Sequence, residues 1–425
     1  MTEGHLMLQV VDAVAQRLAD PAISPALAGG RSWWPHHLGH GAPGIVLLHA
    51  ELAAAQVAGW ERVHRWLTYA ARTPITSGAD SHLNYGAPAL AVALATVAEH
   101  LPGAYRSTLE GLDATIAEDT LRRVAVITER LEPGRRPLLA DFDVVRGVTG
   151  VGAHLLRRRP DSPAVTAVLS YLVRLTAPAT HDGVEVSGWW THVGPHGDVD
   201  DRYPGGHANV GVAHGIAGPL TLLAFAARAG VTVPGHIEAI ATICAWLDQW
   251  QSGSPGRPAW PYWITRDEHR SGRPVPPAHP RRPSWCYGTP GVARAQQLAA
   301  LVLGDPARQH RAEAALLHAL TDPGHRAAVI DPGLCHGWAG MAHLAVRVAA
   351  DASPDTAAAL RATATELLDA IHRPDTDPQD TAATLLGPDG GGPGLLDGAA
   401  GTALASLTAA GVGVATRWDA CLLIT

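Results

Sequence analysis

An all-α fold, an α/α toroid of seven helical hairpins, is what this 425-residue sequence predicts. Three observations predict it. A Gly-x-x-Gly step, or a close relative, recurs seven times along the chain. A short apolar run with helical spacing follows each step, and a second helical segment usually precedes the next. Ala, Leu and Val are plentiful while Phe occurs only 2 times, a composition suited to close-packed helices.

The steps run in order. His40-Gly41-Ala42-Pro43-Gly44 leads into an apolar run from Ile45 to Val57, and Tyr85-Gly86-Ala87-Pro88-Ala89 is the second. Arg146-Gly147-Val148-Thr149-Gly150 and His214-Gly215-Ile216-Ala217-Gly218 follow. Tyr287-Gly288-Thr289-Pro290-Gly291 is the fifth, and His336-Gly337-Trp338-Ala339-Gly340 opens the run Met341 to Ala349. Asp397-Gly398-Ala399-Ala400-Gly401 is the last. Successive first glycines lie roughly 45 to 73 positions apart, room for two helices and their connections. Between the fourth and fifth steps Ile237, Ile240, Cys244 and Leu247 are spaced by three, four and three, a helical stripe that makes Cys244 a core residue. Glycines at the start of each inner helix let the helix N-termini crowd around a centre and accept angles that other residues resist.

Departures from the repeat mark loops. Thr180 to Asn209, with Gly188-Trp189-Trp190-Thr191-His192 and Tyr203-Pro204-Gly205-Gly206-His207, reads as a long loop with room for a small β-hairpin. Ser271 to Pro283 is a Pro-rich basic loop leading to Cys286, and Asp375 to Pro393 is a third, rich in Gly and Asp. Loops of this length are usually functional. No linker divides the chain, so residues 1–425 are expected to form a single toroid domain.

A hydrophobic share of 47%, a net charge of −7 and the lack of any basic block describe a soluble protein and argue against nucleic acid as a partner. The N-terminus has no signal-peptide pattern, and no apolar run approaches ~18 residues, so no membrane span is expected. Four cysteines make no disulfide framework, which favours a reducing, cytoplasmic setting. The 13 Trp either line a pocket or cap the rim of the core.

Aligning the steps on their first glycine exposes the chemistry. Two places before it stand Cys286 and Cys335, in consecutive repeats, and His336 follows Cys335. Equal phase in neighbouring repeats places the two thiols across one inter-repeat gap. Two thiolates and one imidazole suit zinc, and three protein ligands leave the fourth position open for substrate. Such a site suits presenting a third sulfur as a nucleophile for addition to an activated double bond. His214, at the same end of the ring, is a candidate acid or base for the accompanying proton transfer.

The motifs Trp285-Cys286-Tyr287-Gly288-x-Pro290-Gly291, Cys335-His336-Gly337 and Asn209-x-Gly211-x-Ala213-His214-Gly215 resemble those of the lanthionine synthetase C family over the whole chain. The resemblance implies an α/α toroid with one zinc per chain, held by Cys286, Cys335 and His336. It implies a cyclase that adds peptide cysteine thiols to dehydroalanine or dehydrobutyrine, forming lanthionine or methyllanthionine rings, with His214 as acid/base. Arg282, Tyr287 and Asp143 match further active-site positions, with Asp141 near enough to compete with Asp143. The implied partners are a dehydrated precursor peptide, a separate dehydratase and, as an open matter, an export complex at the membrane. Three rivals remain: a thiol- or glutathione-binding relative, a non-catalytic peptide-binding toroid, and a toroidal glycosidase. The last would need two carboxylates about 5 to 9.5 Å apart, where the phased positions here carry Cys, His and Tyr.

Overall fold

The computed structural model describes residues 3–23, 33–131, 135–254, 256–412 and 415–425. Helix α1 (Glu3–Arg17) precedes the first glycine step. Inner and outer helices then alternate: α2 (Ala42–Ala54) and α3 (Glu61–Ala70), α4 (Ala87–Ala98) and α5 (Arg106–Leu131), α6 (Val148–Arg158) and α7 (Pro163–Arg174). The pattern continues with α8 (Ala217–Arg228) and α9 (His236–Gln249), α10 (Thr289–Leu303) and α11 (Pro306–Thr321), α12 (Trp338–Ala349) and α13 (Pro354–Asp369). Helix α14 (Pro378–Leu386) leads to the last inner helix, α15 (Ala399–Ala409).

Each inner helix touches the next, and α15 returns to α2, so the ring is closed. This is an α/α toroid, as the repeats predict. The division of labour follows from sequence. The inner helices are largely buried, and α2 is apolar and buried from Ala42 to Ala53 nearly all round, as a helix walled in on every side must be. The outer helices bury one stripe: Val63, Trp66, Leu67 and Ala70 on α3, or Leu360, Thr363, Ala364 and Leu367 on α13. Several outer helices are capped by side chains ahead of a proline, with Ser162 on Ala164 N and Asp305 on Arg308 N. The inner helices α2, α4, α6, α10, α12 and α15 begin on a glycine with no side-chain cap.

That glycine accounts for less than expected, and the second one for more. Only Gly86 and Gly288 among the first glycines have positive φ (77° and 88°). The second glycine is needed for close approach to the loop leading into its own helix. A Cβ on Gly44, Gly150, Gly291, Gly340 or Gly401 would lie 1.8–2.2 Å from a carbonyl oxygen of that loop.

Three expectations need correction. Asp375 to Pro393 is not all loop, because Asp377 caps a proline-started helix, α14, whose Thr381, Ala382, Leu385 and Leu386 are buried. Helix α14 packs against α1, and α1 packs against α15, so the N-terminal helix joins the last hairpin. Ile237 is 42% exposed, and the buried stripe of α9 is Ile240, Ile243, Cys244 and Leu247. Most of the Trp are core: Trp66, Trp189, Trp250 and Trp418 are among the largest fully buried side chains. The Thr180–Asn209 loop contains the expected hairpin, β1 (Ala179–His181) with β2 (Val184–Val186). Its β3 (His207–Asn209) pairs with the more distant strand Trp263–Thr265. No helix among the described residues is long and apolar enough to cross a membrane.

Replacing Gly340 with Ala sets its Cβ 1.9 Å from Leu334 O and should lower stability in denaturant unfolding by about 1–3 kcal/mol or more. Gly111→Ala, in the middle of α5 with open space around it, should raise stability by roughly 0.5–1 kcal/mol.

Candidate active site

The loops leading into the inner helices are tied to one another by main-chain hydrogen bonds. Cys286 N donates to Cys335 O (3.2 Å), Cys335 N to Leu396 O (2.8 Å), and Leu395 N to Gly39 O (2.8 Å). Leu38 N donates to Asn84 O (2.8 Å), Val144 N to Ala213 O (3.0 Å), and Ala213 N to Cys286 O (3.3 Å). The remaining step is made by the His82 imidazole on the Val145 carbonyl. Each acceptor stands two places before the first glycine of its repeat. The phased residues therefore sit side by side at one end of the ring.

On this belt Cys286, Cys335 and His336 come together, with ligand atoms all within 4.8 Å of one another. Among the described residues no other group of three potential ligands gathers this way. Cys286 is held well below the usual thiol value, first by a hydrogen bond from Cys335, then against burial by His336 and Ser284. Cys335 is driven well above it, because it lies beside the Cys286 sulfur in a buried place with Asp397 and Asp331 near. Two thiols so placed resist double ionisation unless a cation neutralises them. The donor set and its electrostatics fit a metal ion that accepts sulfur and nitrogen. Cys244 and Cys421 play no part; each is buried elsewhere with its thiol pushed up to about 12 by burial.

His336 is oriented by a residue that the motifs did not single out. Its Nε2 lies 3.3 Å from Asp331 Oδ2, while its Nδ1 is 4.0 Å from Asp397 Oδ1. Asp331 Oδ1 accepts from Gly333 N (3.0 Å), which fixes the carboxylate. Arg282 Nη1 lies 3.6 Å from the same Asp331 Oδ2, so Arg282 reaches the Cys286–Cys335–His336 group through Asp331. The only sequence signal for Asp331 was an acidic residue in the loop that delivers Cys335.

His214 forms the second part of the site. Its Nδ1 is 2.6 Å from Asp143 Oδ2, and Asp143 Oδ1 accepts from Arg146 N and Gly147 N, each at 2.6 Å. Burial pulls the His214 pKa down, but the hydrogen bond and charge of Asp143 outweigh it and the pKa is raised. Asp141 faces the other way, paired with Arg130 and accepting from Leu138 N. The geometry thus pairs His214 with Asp143. Tyr287 links the two parts: next to Cys286 in sequence, it sets its ring 6.1 Å from that of His214. Asn209 Nδ2 approaches its hydroxyl at 3.4 Å, and burial raises its pKa.

Replacing Asp143 with Asn removes the charge that holds the proton on His214, so the imidazole pKa should fall, as read by NMR titration. The sign for stability follows. A raised folded-state pKa stabilises below the unfolded value of about 6.5, and that contribution is lost as pH rises through the folded value. Asp143→Asn should therefore destabilise the protein more at pH 6 than at pH 9.

A family model described as lanthionine synthetase C-like protein matches residues 32–423. Nisin biosynthesis protein NisC of Lactococcus lactis subsp. lactis is 23% identical over 310 residues, which cover 72% of this chain and 71% of that protein. The solved structure of a nisin cyclase aligns with a TM-score of 0.74 at 20% identity, over 93% of each chain.

Proposed function

The chain belongs to the lanthionine synthetase C-like family, and from that premise we propose that it is a zinc-dependent peptide cyclase. Its substrate would be a dehydrated precursor peptide, in which cysteine thiols add to dehydroalanine or dehydrobutyrine to give thioether rings. The observation that carries this reading is the gathering of Cys286, Cys335 and His336 within 4.8 Å, beside the His214–Asp143 pair.

Cys286, Cys335 and His336 would hold the zinc. Bound there, zinc supplies one thing: it lowers the pKa of a substrate thiol from about 8.5 and keeps its sulfur nucleophilic at neutral pH. The rest falls to the chain. Asp143 accepts from Nδ1 of His214, so Nε2 is left to exchange a proton with the substrate. The substrate sulfur bonds to Cβ of the dehydro residue, the double-bond pair moves to Cα and its carbonyl, and Cα takes a proton. The thiol proton and the Cα proton balance, so the reaction is an isomerisation. The raised pKa of His214 suits a group that holds that proton near neutral pH. Tyr287 walls His214 on one side, and Asp331 keeps His336 oriented. The intact His214–Asp143 pair favours catalysis over mere peptide binding.

Purified protein should contain about one zinc per chain, largely lost in Cys286→Ala or Cys335→Ala; full retention in both would sink the ligand assignment. His214→Ala should keep zinc but form rings about 10²–10⁴-fold more slowly. Ring formation is scored by thiol alkylation and mass spectrometry, since mass alone does not change.

A further inference from the structure

Arg146 stands one place before the first glycine of its repeat, the phase that carries His214, Tyr287 and His336 in the site above. Its main chain is pinned on both sides. Its N–H donates to Asp143 Oδ1 at 2.6 Å, and its carbonyl accepts from Arg123 Nη2 at 2.5 Å. The same Asp143 carboxylate holds His214 through its other oxygen, so one side chain sets the places of Arg146 and His214 together. The guanidinium is exposed and makes no hydrogen bond or ion pair with a described residue. Other arginines near the site are engaged: Arg282 with Asp331, Arg130 with Asp141, Arg123 with the Ala140 and Arg146 carbonyls. An unpaired cation on a fixed backbone, within electrostatic range of His214, is free to meet an anionic or strongly polarised group from outside the chain.

We infer that Arg146 is a further catalytic residue, whose guanidinium binds the carbonyl oxygen of the dehydro residue and carries the charge that develops there during thiol addition. The inference rests on the cyclase reading. As the S–Cβ bond forms, the π pair of Cα=Cβ moves into an enolate with its charge on that oxygen, and protonation of Cα returns the carbonyl. No oxidant and no leaving group is required. A guanidinium fork can donate two N–H groups to one developing oxyanion, which a lysine ammonium on a flexible stem does less well. Place and reaction agree: the carbonyl sits one bond from the carbon that His214 would protonate, and the Arg146 main chain is anchored on the same Asp143 that holds His214.

The test compares wild type, Arg146→Ala and Arg146→Lys on a dehydrated, cysteine-containing peptide, with zinc content and the pH–rate profile measured alongside. Arg146→Ala should retain zinc and lose about 10²-fold in kcat with little change in KM, and Arg146→Lys should fall between. The His214 limb of the profile should move to higher pH in Arg146→Ala, because a neighbouring cation is gone. An unchanged kcat, or a loss confined to KM, overturns the role of Arg146 while ring formation by wild type leaves the cyclase reading standing. A zinc-loaded wild type that forms no ring overturns both.

Discussion

The hydrogen bond from Cys286 N to Cys335 O is one link of the belt on which the rest of this structure depends. A main-chain group left unpaired in a buried place costs about 1–3 kcal/mol, so each repeat needs its neighbour to satisfy the loop that enters its inner helix. The belt meets that need with a main-chain bond at six of its seven steps and through the His82 side chain at the other. It also decides what stands next to what. Two cysteines 49 positions apart would otherwise have no reason to meet, whereas the belt joins their own N–H and carbonyl. The close fit of the second glycines has the same root. Each of those loops folds back so far that its carbonyl lies where a Cβ would be, and this holds the loop down onto the first turn of its helix.

The opposite side of the loops is braced by the end of the chain. Residues 415–425 bond to helices on several sides of the ring and so lie across its axis. Glu51 of α2 accepts from Thr416 N and Ala415 N, and Arg157 of α6 donates to the Thr416 carbonyl. Arg294 of α10 donates to the Ile424 carbonyl. Asp419 is fully buried, and burial works against its charge, yet His343 and Arg347 of α12 hold its carboxyl far below the usual range. Trp285, the residue before Cys286, donates its indole N–H to the Leu422 carbonyl at 2.9 Å. The loop that presents Cys286 is therefore clamped between the belt and the C-terminal segment.

Helical periodicity and the glycine steps made the ring legible, because both reflect constraints that act within one repeat. The Cys286–Cys335–His336 group was legible for a different reason: phase in a repeat is a coordinate in space once the repeats close. What escaped was whatever depended on partners far away in sequence. The pairing of α1 with α14 and α15 joins the two ends of the chain, and the Asp375–Pro393 stretch shows enough Gly and Asp to mask nine helical residues. Asp331 could not be ranked above other acidic residues until its distance to His336 was known. The choice between Asp143 and Asp141, two positions apart, turned on which way each carboxylate points. Arg130 and the Leu138 N–H take one, His214 and the start of α6 the other.

Charge is distributed unevenly over the face that results, and the unevenness has a direction. On the side of Cys286, Cys335 and His336 lie the Cys286 thiol, held below its usual pKa, Asp331 and Asp397, with Arg282 as the paired cation. On the other side lie Arg146 and His214, whose proton is held by a single buried carboxylate. A sulfur that gives up electron density at the first side and a carbonyl that gains it at the second would have the protein's field along the path of the electrons. Tyr287, next to Cys286 in sequence, sets its ring against His214 and so joins the two sides. The repeats supply similar scaffolding to each loop, so this polarity comes from the residues just before each first glycine together with Asp143, Arg282 and Asp331, a few places further back. The candidate chemistry of this toroid is thus written in the short loops that enter a few of its inner helices, and the packed ring holds those loops in register.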